Sequence, residues 1–138
     1  MDKTWAEQRR ENALAQAQRL RQREAKESAQ AAQHLQRFVA AAKHQGLASE
    51  PLLVRDGQGR QAKTPLRGWY LKADHSAAVD EDGKFYLLTA PLTLMQRLKG
   101  IRPDPAAPTL VLGKGGRDGE QIDLTEALDK RLPTWKEG

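Results

Sequence analysis

The chain has 138 residues, no cysteine and a formal net charge of +5. The missing cysteine excludes disulfides, thiolate nucleophiles and thiolate metal sites, so packing and hydrogen bonds alone must stabilise the fold. The opening Met1-Asp2-Lys3-Thr4-Trp5 carries no signal-like apolar run, and no later segment approaches the ~20 apolar residues that span a bilayer, so a cytoplasmic protein with no membrane partner is expected.

Residues 5–45 are dominated by Ala, Gln, Arg and Glu, and neither Pro nor Gly interrupts them before Gly46. These are strong helix formers. Asp2 or Thr4 can cap the start, with Glu7 completing a capping box, and Gly46 supplies a left-handed stop. At ~1.5 Å per residue the helix would be roughly 60 Å long, more than the width of the domain that follows, so part of it must project or find a partner. Ser28, Ala32, Leu35, Val39 and Ala42, joined by Phe38, form an apolar seam that predicts docking of residues 28–45. In residues 5–27 only Trp5, Leu14 and Leu20 are large and apolar. The best heptad frame, through Ala6, Ala13 and Leu20, next meets Glu27 and His34, which leaves a short pairing through Ala13, Ala17 and Leu20 rather than a long regular coiled coil.

After Gly46 the apolar period shortens. Runs at Leu52–Arg55, Gly68–Lys72, Ala77–Val79, Lys84–Thr89 and Thr109–Leu112 predict strands separated by Gly-rich turns, with Gly83 placed for the positive φ of a Val79–Phe85 hairpin. Pro91 through Lys99 predicts a short helix started by Thr89 or Ala90 and carrying Leu92, Met95 and Leu98 on one side. Ile101–Pro108 is a stiff loop by its three prolines. Glu120–Leu124 is the expected return strand of a last hairpin, and Thr125–Leu132 a helix capped by Asp123 or Thr125 and ended by Pro133. The expected class is α+β: a long helix, residues 1–46, ahead of a small antiparallel sheet domain, residues 47–138, with two short helices.

Residues 1–45 hold nine Lys/Arg against five Asp/Glu, while residues 46–138 hold fourteen against thirteen, so the excess charge sits on the helix. On a helix, Arg9, Asn12, Gln16, Arg19, Arg23, Lys26, Gln30, Gln33 and Arg37 recur in steps of three or four and form a stripe with no carboxylate, opposite the apolar seam. Arg19, Arg23 and Lys26 repel one another on successive turns, and a polyanion would relieve that repulsion. The plainer reading is a solvated face, since Arg and Gln keep an exposed helix soluble and helical.

Other constellations carry less. His34, His44 and His75 lack metal-ligand spacing, so no metal site or cofactor is expected, and His34 and His44 read as solvent-exposed. Asp74-His75-Ser76 holds triad residue types, but chain neighbours do not make a triad. Gly113-Lys114-Gly115-Gly116-Arg117-Asp118-Gly119 could form an anion nest, with Lys114 and Arg117 as auxiliary contacts, or a simple hairpin loop; the P-loop order is absent. Trp69-Tyr70 and Phe85-Tyr86 could stack bases, but alternation sends one ring of each pair inward and the core needs them. Trp135 either packs on the domain or awaits a partner.

The segments Gly68-Trp69-Tyr70-Leu71, Asp82-Gly83-Lys84-Phe85-Tyr86-Leu87-Leu88 and Gly115-Gly116-Arg117-Asp118-Gly119-Glu120, followed by a Leu-rich terminal helix, resemble an uncharacterised family of small proteins from high-GC actinobacteria. The resemblance spans roughly residues 35–135 and implies no activity. From the residues themselves we expect a non-enzymatic accessory protein with no catalytic residue, binding nucleic acid or a ribonucleoprotein surface through Arg9, Arg19, Arg23, Lys26 and Arg37. Two alternatives stand beside it. One is a protein-interaction or oligomerisation module using the Ala/Leu face of the helix, and the other a small nucleotide-binding enzyme using the 113–119 loop.

Overall fold

The computed structural model describes residues 4–113 and 121–137. Helix α1 runs Trp5–Gln45 without interruption. Thr4 caps it: its hydroxyl accepts from the Glu7 amide at 3.2 Å, and the Glu7 carboxylate accepts from the Thr4 amide at 3.4 Å. Gly46, at φ 76°, ends it by donating to the Ala42 and Lys43 carbonyls.

Four strands follow, β1 (Glu50–Arg55), β2 (Gln61–Tyr70), β3 (Ala77–Asp80) and β4 (Phe85–Leu87), in an antiparallel meander ordered β1-β2-β3-β4. The sheet curls until the chain leaving β4 meets β1: the Arg55 amide donates to the Leu88 carbonyl at 2.9 Å and the Ala90 amide to Arg55 at 3.0 Å. Helix α2 (Leu94–Lys99), the antiparallel pair β5 (Val111–Leu112) and β6 (Ile122–Asp123), and α3 (Leu124–Arg131) follow.

Alternation along the central strands sorts the side chains into two cores. In register, Trp69, Val79 and Phe85 line one face and Tyr70, Ala78 and Tyr86 the other. The first row packs under Ala31, Leu35, Phe38 and Ala42 of α1, with Leu124 and Leu128 of α3 and Trp135 closing the same cluster. The second joins Leu52, Val54 and Leu88, drawing on all four strands, and is covered by Leu66, Ala90, Leu92 and Ile101. Alternation predicts that only one ring of each aromatic pair is buried; both are buried, because Leu66, Ala90, Leu92 and Ile101 cover the second face of the sheet as well. Gly68 leaves no room for a side chain between β2 and β3: a Cβ there would lie 2.0 Å from the Val79 carbonyl oxygen.

Several expected boundaries shift for local reasons. Strand β2 begins at Gln61, seven residues before the predicted start, because Gln61, Ala62 and Lys63 already pair with Arg55, Val54 and Leu53 of β1; its inward Ala62, Thr64 and Leu66 give only a weak apolar signal, and Pro65 falls at the register shift between Pro51 and Leu53. Helix α2 starts at Leu94 rather than at Pro91. Thr89 and Ala90 are held against β1, and Thr93 forms a capping box, its hydroxyl accepting from the Gln96 amide at 3.1 Å while Gln96 accepts from the Thr93 amide at 2.9 Å. Leu92 packs into the second core, whereas Met95 and Leu98 are exposed. Leu124 opens α3 rather than closing β6. The docked seam of α1 is centred on Ala31, Leu35, Phe38 and Ala42, so the basic stripe lies about a third of a turn away, at ~100° per residue, rather than opposite.

The hairpin at Gly83 (φ 86°) is locked by a buried carboxylate. Asp80 Oδ1 accepts from the Asp82 and Lys84 amides, both at 2.9 Å, and Oδ2 accepts from the Tyr86 hydroxyl at 3.1 Å. Burial, and then the Asp80 carboxylate, push the Tyr86 phenol above its ordinary pKa of 10.0. A raised folded-state pKa gives stability that is complete below the unfolded value and lost as pH climbs past it. Tyr86→Phe is expected to cost about 1–3 kcal/mol at neutral pH by leaving the carboxylate one partner short. It should also flatten the alkaline loss of stability expected of the native chain above about pH 10; denaturant melts across that range measure both.

Candidate nucleic-acid interface

Two halves of one helix present different surfaces because only one has a sheet beneath it. Between Ala31 and Ala42 six side chains are buried, Ala31, Leu35, Phe38, Val39, Ala41 and Ala42, and Phe38 meets Trp69 edge-on at 5.9 Å. Among the described residues, the hydrogen bond from the domain that lies nearest the N-terminus of α1 is at Glu27, whose carboxylate accepts from the Leu110 amide at 3.1 Å. Between Trp5 and Lys26 no residue is buried, and the helix is held by its own hydrogen bonds and its cap.

The predicted stripe is a continuous exposed face, but its members are not equivalent. Arg19, Arg23 and Lys26 line a shallow groove with Gln22, and among the described residues no hydrogen bond or ion pair engages them. Successive members stand about 4–6 Å apart along the axis. Arg9 sits over the Trp5 ring, 4.4 Å from its centroid, a cation–π contact that leaves the guanidinium edge in solvent. Arg37 is committed: its Nη2 donates to the Lys136 carbonyl at 2.6 Å. That bond belongs to a C-terminal strap in which Trp135 is fully buried and donates its indole N–H to Asp129 Oδ1 at 2.7 Å. Trp135 therefore packs on the domain, and His34, expected in solvent, is half-buried with its ring 5.7 Å from the indole. His44 is exposed.

The remaining candidates separate from the stripe. Lys114 and Arg117, with most of the Gly-rich loop, lie outside the described residues. In Asp74-His75-Ser76 the Ser76 hydroxyl donates to Asp74 Oδ1 at 2.6 Å, so the serine serves the turn and not the histidine. His75 adopts φ 62°, a left-handed conformation held by parallel stacking on Tyr70 at 3.9 Å. Among the described residues no three His, Asp or Glu side chains converge as a metal site, and no helix is long and apolar enough to cross a membrane.

Two features have no signal in the linear chain. A cleft of about 460 Å³ brings Tyr70, Lys72 and His75 beside Ala127, Lys130 and Arg131, and Lys63, Lys99 and Arg102 gather where Ile101 hydrogen-bonds to the Lys63 carbonyl. Both join segments that only the tertiary fold makes neighbours.

The two halves of α1 should differ in protection from hydrogen exchange. Amides of residues 31–42 are expected to exchange at least about a hundredfold more slowly than those of 8–26, where opening exposes no core; native-state exchange followed by mass spectrometry resolves the two. Compared with known proteins, the chain matches no family, no curated protein and no solved structure.

Proposed function

We propose that this is a non-enzymatic cytoplasmic accessory protein that binds nucleic acid or a ribonucleoprotein surface along the basic side of α1. The observation that carries the reading is the row Arg19, Arg23 and Lys26: three exposed cations on successive turns of a rigid rod, unengaged by any described carboxylate. Like charges at these spacings destabilise a helix by a few tenths of a kcal/mol each, and phosphates laid along the row would replace that repulsion with attraction and release counterions. The contacts are to backbone phosphate, so affinity would be nearly independent of sequence. Arg9 extends the row toward the N-terminus. Arg37 acts at most through the part of its guanidinium that the Lys136 carbonyl leaves uncovered. The reading is also supported by the burial of all four paired aromatics, which directs recognition to charge rather than base stacking.

Three phosphate contacts on a duplex correspond to a slope of roughly −3 in log affinity against log salt concentration. Arg19→Glu, Arg23→Glu and Lys26→Glu combined are expected to abolish retention of mixed RNA and DNA and to flatten that slope. The melting free energy should stay within about 0.5 kcal/mol, because no described contact is lost. Filter binding as a function of salt gives the first result and circular dichroism melts the second. Binding that ignores salt, or that survives the triple reversal, would rule this face out.

A further inference from the structure

The row of α1 that faces the domain does not end where the domain ends. Stepping back from Leu35 and Ala31 by threes and fours gives Ser28, Glu24, Leu20, Ala17, Ala13, Arg10 and Ala6. The large apolar groups on and beside this stretch are uncovered, Leu14 at 64% and Leu20 at 50% exposure. We propose that it pairs antiparallel with the same stretch of a second copy, about a two-fold axis at Ala17.

Register favours an antiparallel second copy. Turning the helix end for end about Ala17 sets Ala17 on Ala17, Leu14 on Leu20, Arg10 on Glu24 and Ala6 on Ser28, and the two-fold axis makes each unlike pair occur twice. Small residues at the centre let the helices approach closely, the leucines flank them, and opposite charges close both ends. A parallel pair would instead stack Arg10 on Arg10 and Glu24 on Glu24. The surface also continues an interface the chain already uses, since the same helix row buries Ala31, Leu35 and Phe38 against the sheet. In this register the first turn of the second copy, with Trp5 71% exposed, reaches an open groove of about 620 Å³ between α1 and residues 107–111, lined by Arg21, Glu24, Ala25, Ser28, Ala107 and Thr109.

One consequence rests on the nucleic-acid reading, although the pairing itself does not. The two-fold axis of an antiparallel helix pair is perpendicular to the plane of the two helices, so a stripe to one side of the contact row stays on that side in both copies. Arg19, Arg23 and Lys26 lie about a third of a turn from the row, at ~100° per residue. Pairing therefore sets two cationic tracks on one face and doubles the phosphates within reach.

Sedimentation of the 138-residue chain across a wide concentration range tests this. Mass should rise from one chain to two. Arg10→Glu and Glu24→Arg should each weaken the dimer roughly tenfold, because each charge is used at two symmetric sites, and the double swap should restore it. Helical content by circular dichroism should be the same in all three. Because the chain has no cysteine, an equimolar mixture of Leu14→Cys and Leu20→Cys chains should oxidise to a mixed covalent dimer in preference to either like pair. A monomer at every concentration, a swap that fails to restore association, or Leu14→Cys joining itself as readily as Leu20→Cys would overturn the proposal. Nucleic-acid retention by the same variants is a separate readout: a dimer that binds no nucleic acid refutes the functional reading and leaves the pairing standing.

Discussion

The edge-on contact of Phe38 with Trp69, in the row Trp69, Val79 and Phe85, fixes where everything else must lie. It seats the second half of α1 on one face of the sheet, and α3 and Trp135 can then close the same cluster. Burying side chains of this size stabilises by about 1.5–3 kcal/mol each, far more than any surface ion pair in the molecule. Because α1 is one rigid rod, anchoring residues 31–42 also aims residues 5–26 into solvent.

The projecting half needs no core to remain helical. Nucleating a helix is the unfavourable step, and the docked half supplies the nucleus from which the rest propagates one hydrogen bond at a time. Ala, Gln, Arg and Glu propagate well, and the reciprocal bonds between Thr4 and Glu7 stop fraying at the far end. This scaffold can hold three cations in a row despite their mutual repulsion. The same property makes the arm's other side, with its alanines and two leucines, a straight surface that a second rod can match.

On the opposite face of the sheet the polar chemistry is structural. The carboxylate of Asp80 is buried, yet it accepts from two turn amides and from Tyr86, so its charge helps close the β3–β4 hairpin. Likewise Arg37, the last cation of the stripe, serves the C-terminal strap.

Helix α1 was legible from end to end because its signals are local: composition, the Thr4 capping box, and a glycine at the stop, where φ is positive. The hairpin at Gly83 and the alternation of Trp69 with Tyr70 and Phe85 with Tyr86 were legible for the same reason. The first seven residues of β2 were not, since of their inward side chains, Ala62, Thr64 and Leu66, only one is large and apolar, and their pairing with β1 is decided across the bulge at Pro51 and Leu53. Which way α1 rotates on the sheet, and hence how far the stripe lies from the core, depends on the shape of the Trp69 surface. Of the candidate site, the sequence by itself determined the spacing of Arg19, Arg23 and Lys26 and the absence of acids among them. Only the tertiary structure decided that these three stand uncovered while Arg37 is bound and Trp135 is buried, because burial depends on contacts between residues a hundred positions apart, and such contacts leave no local pattern.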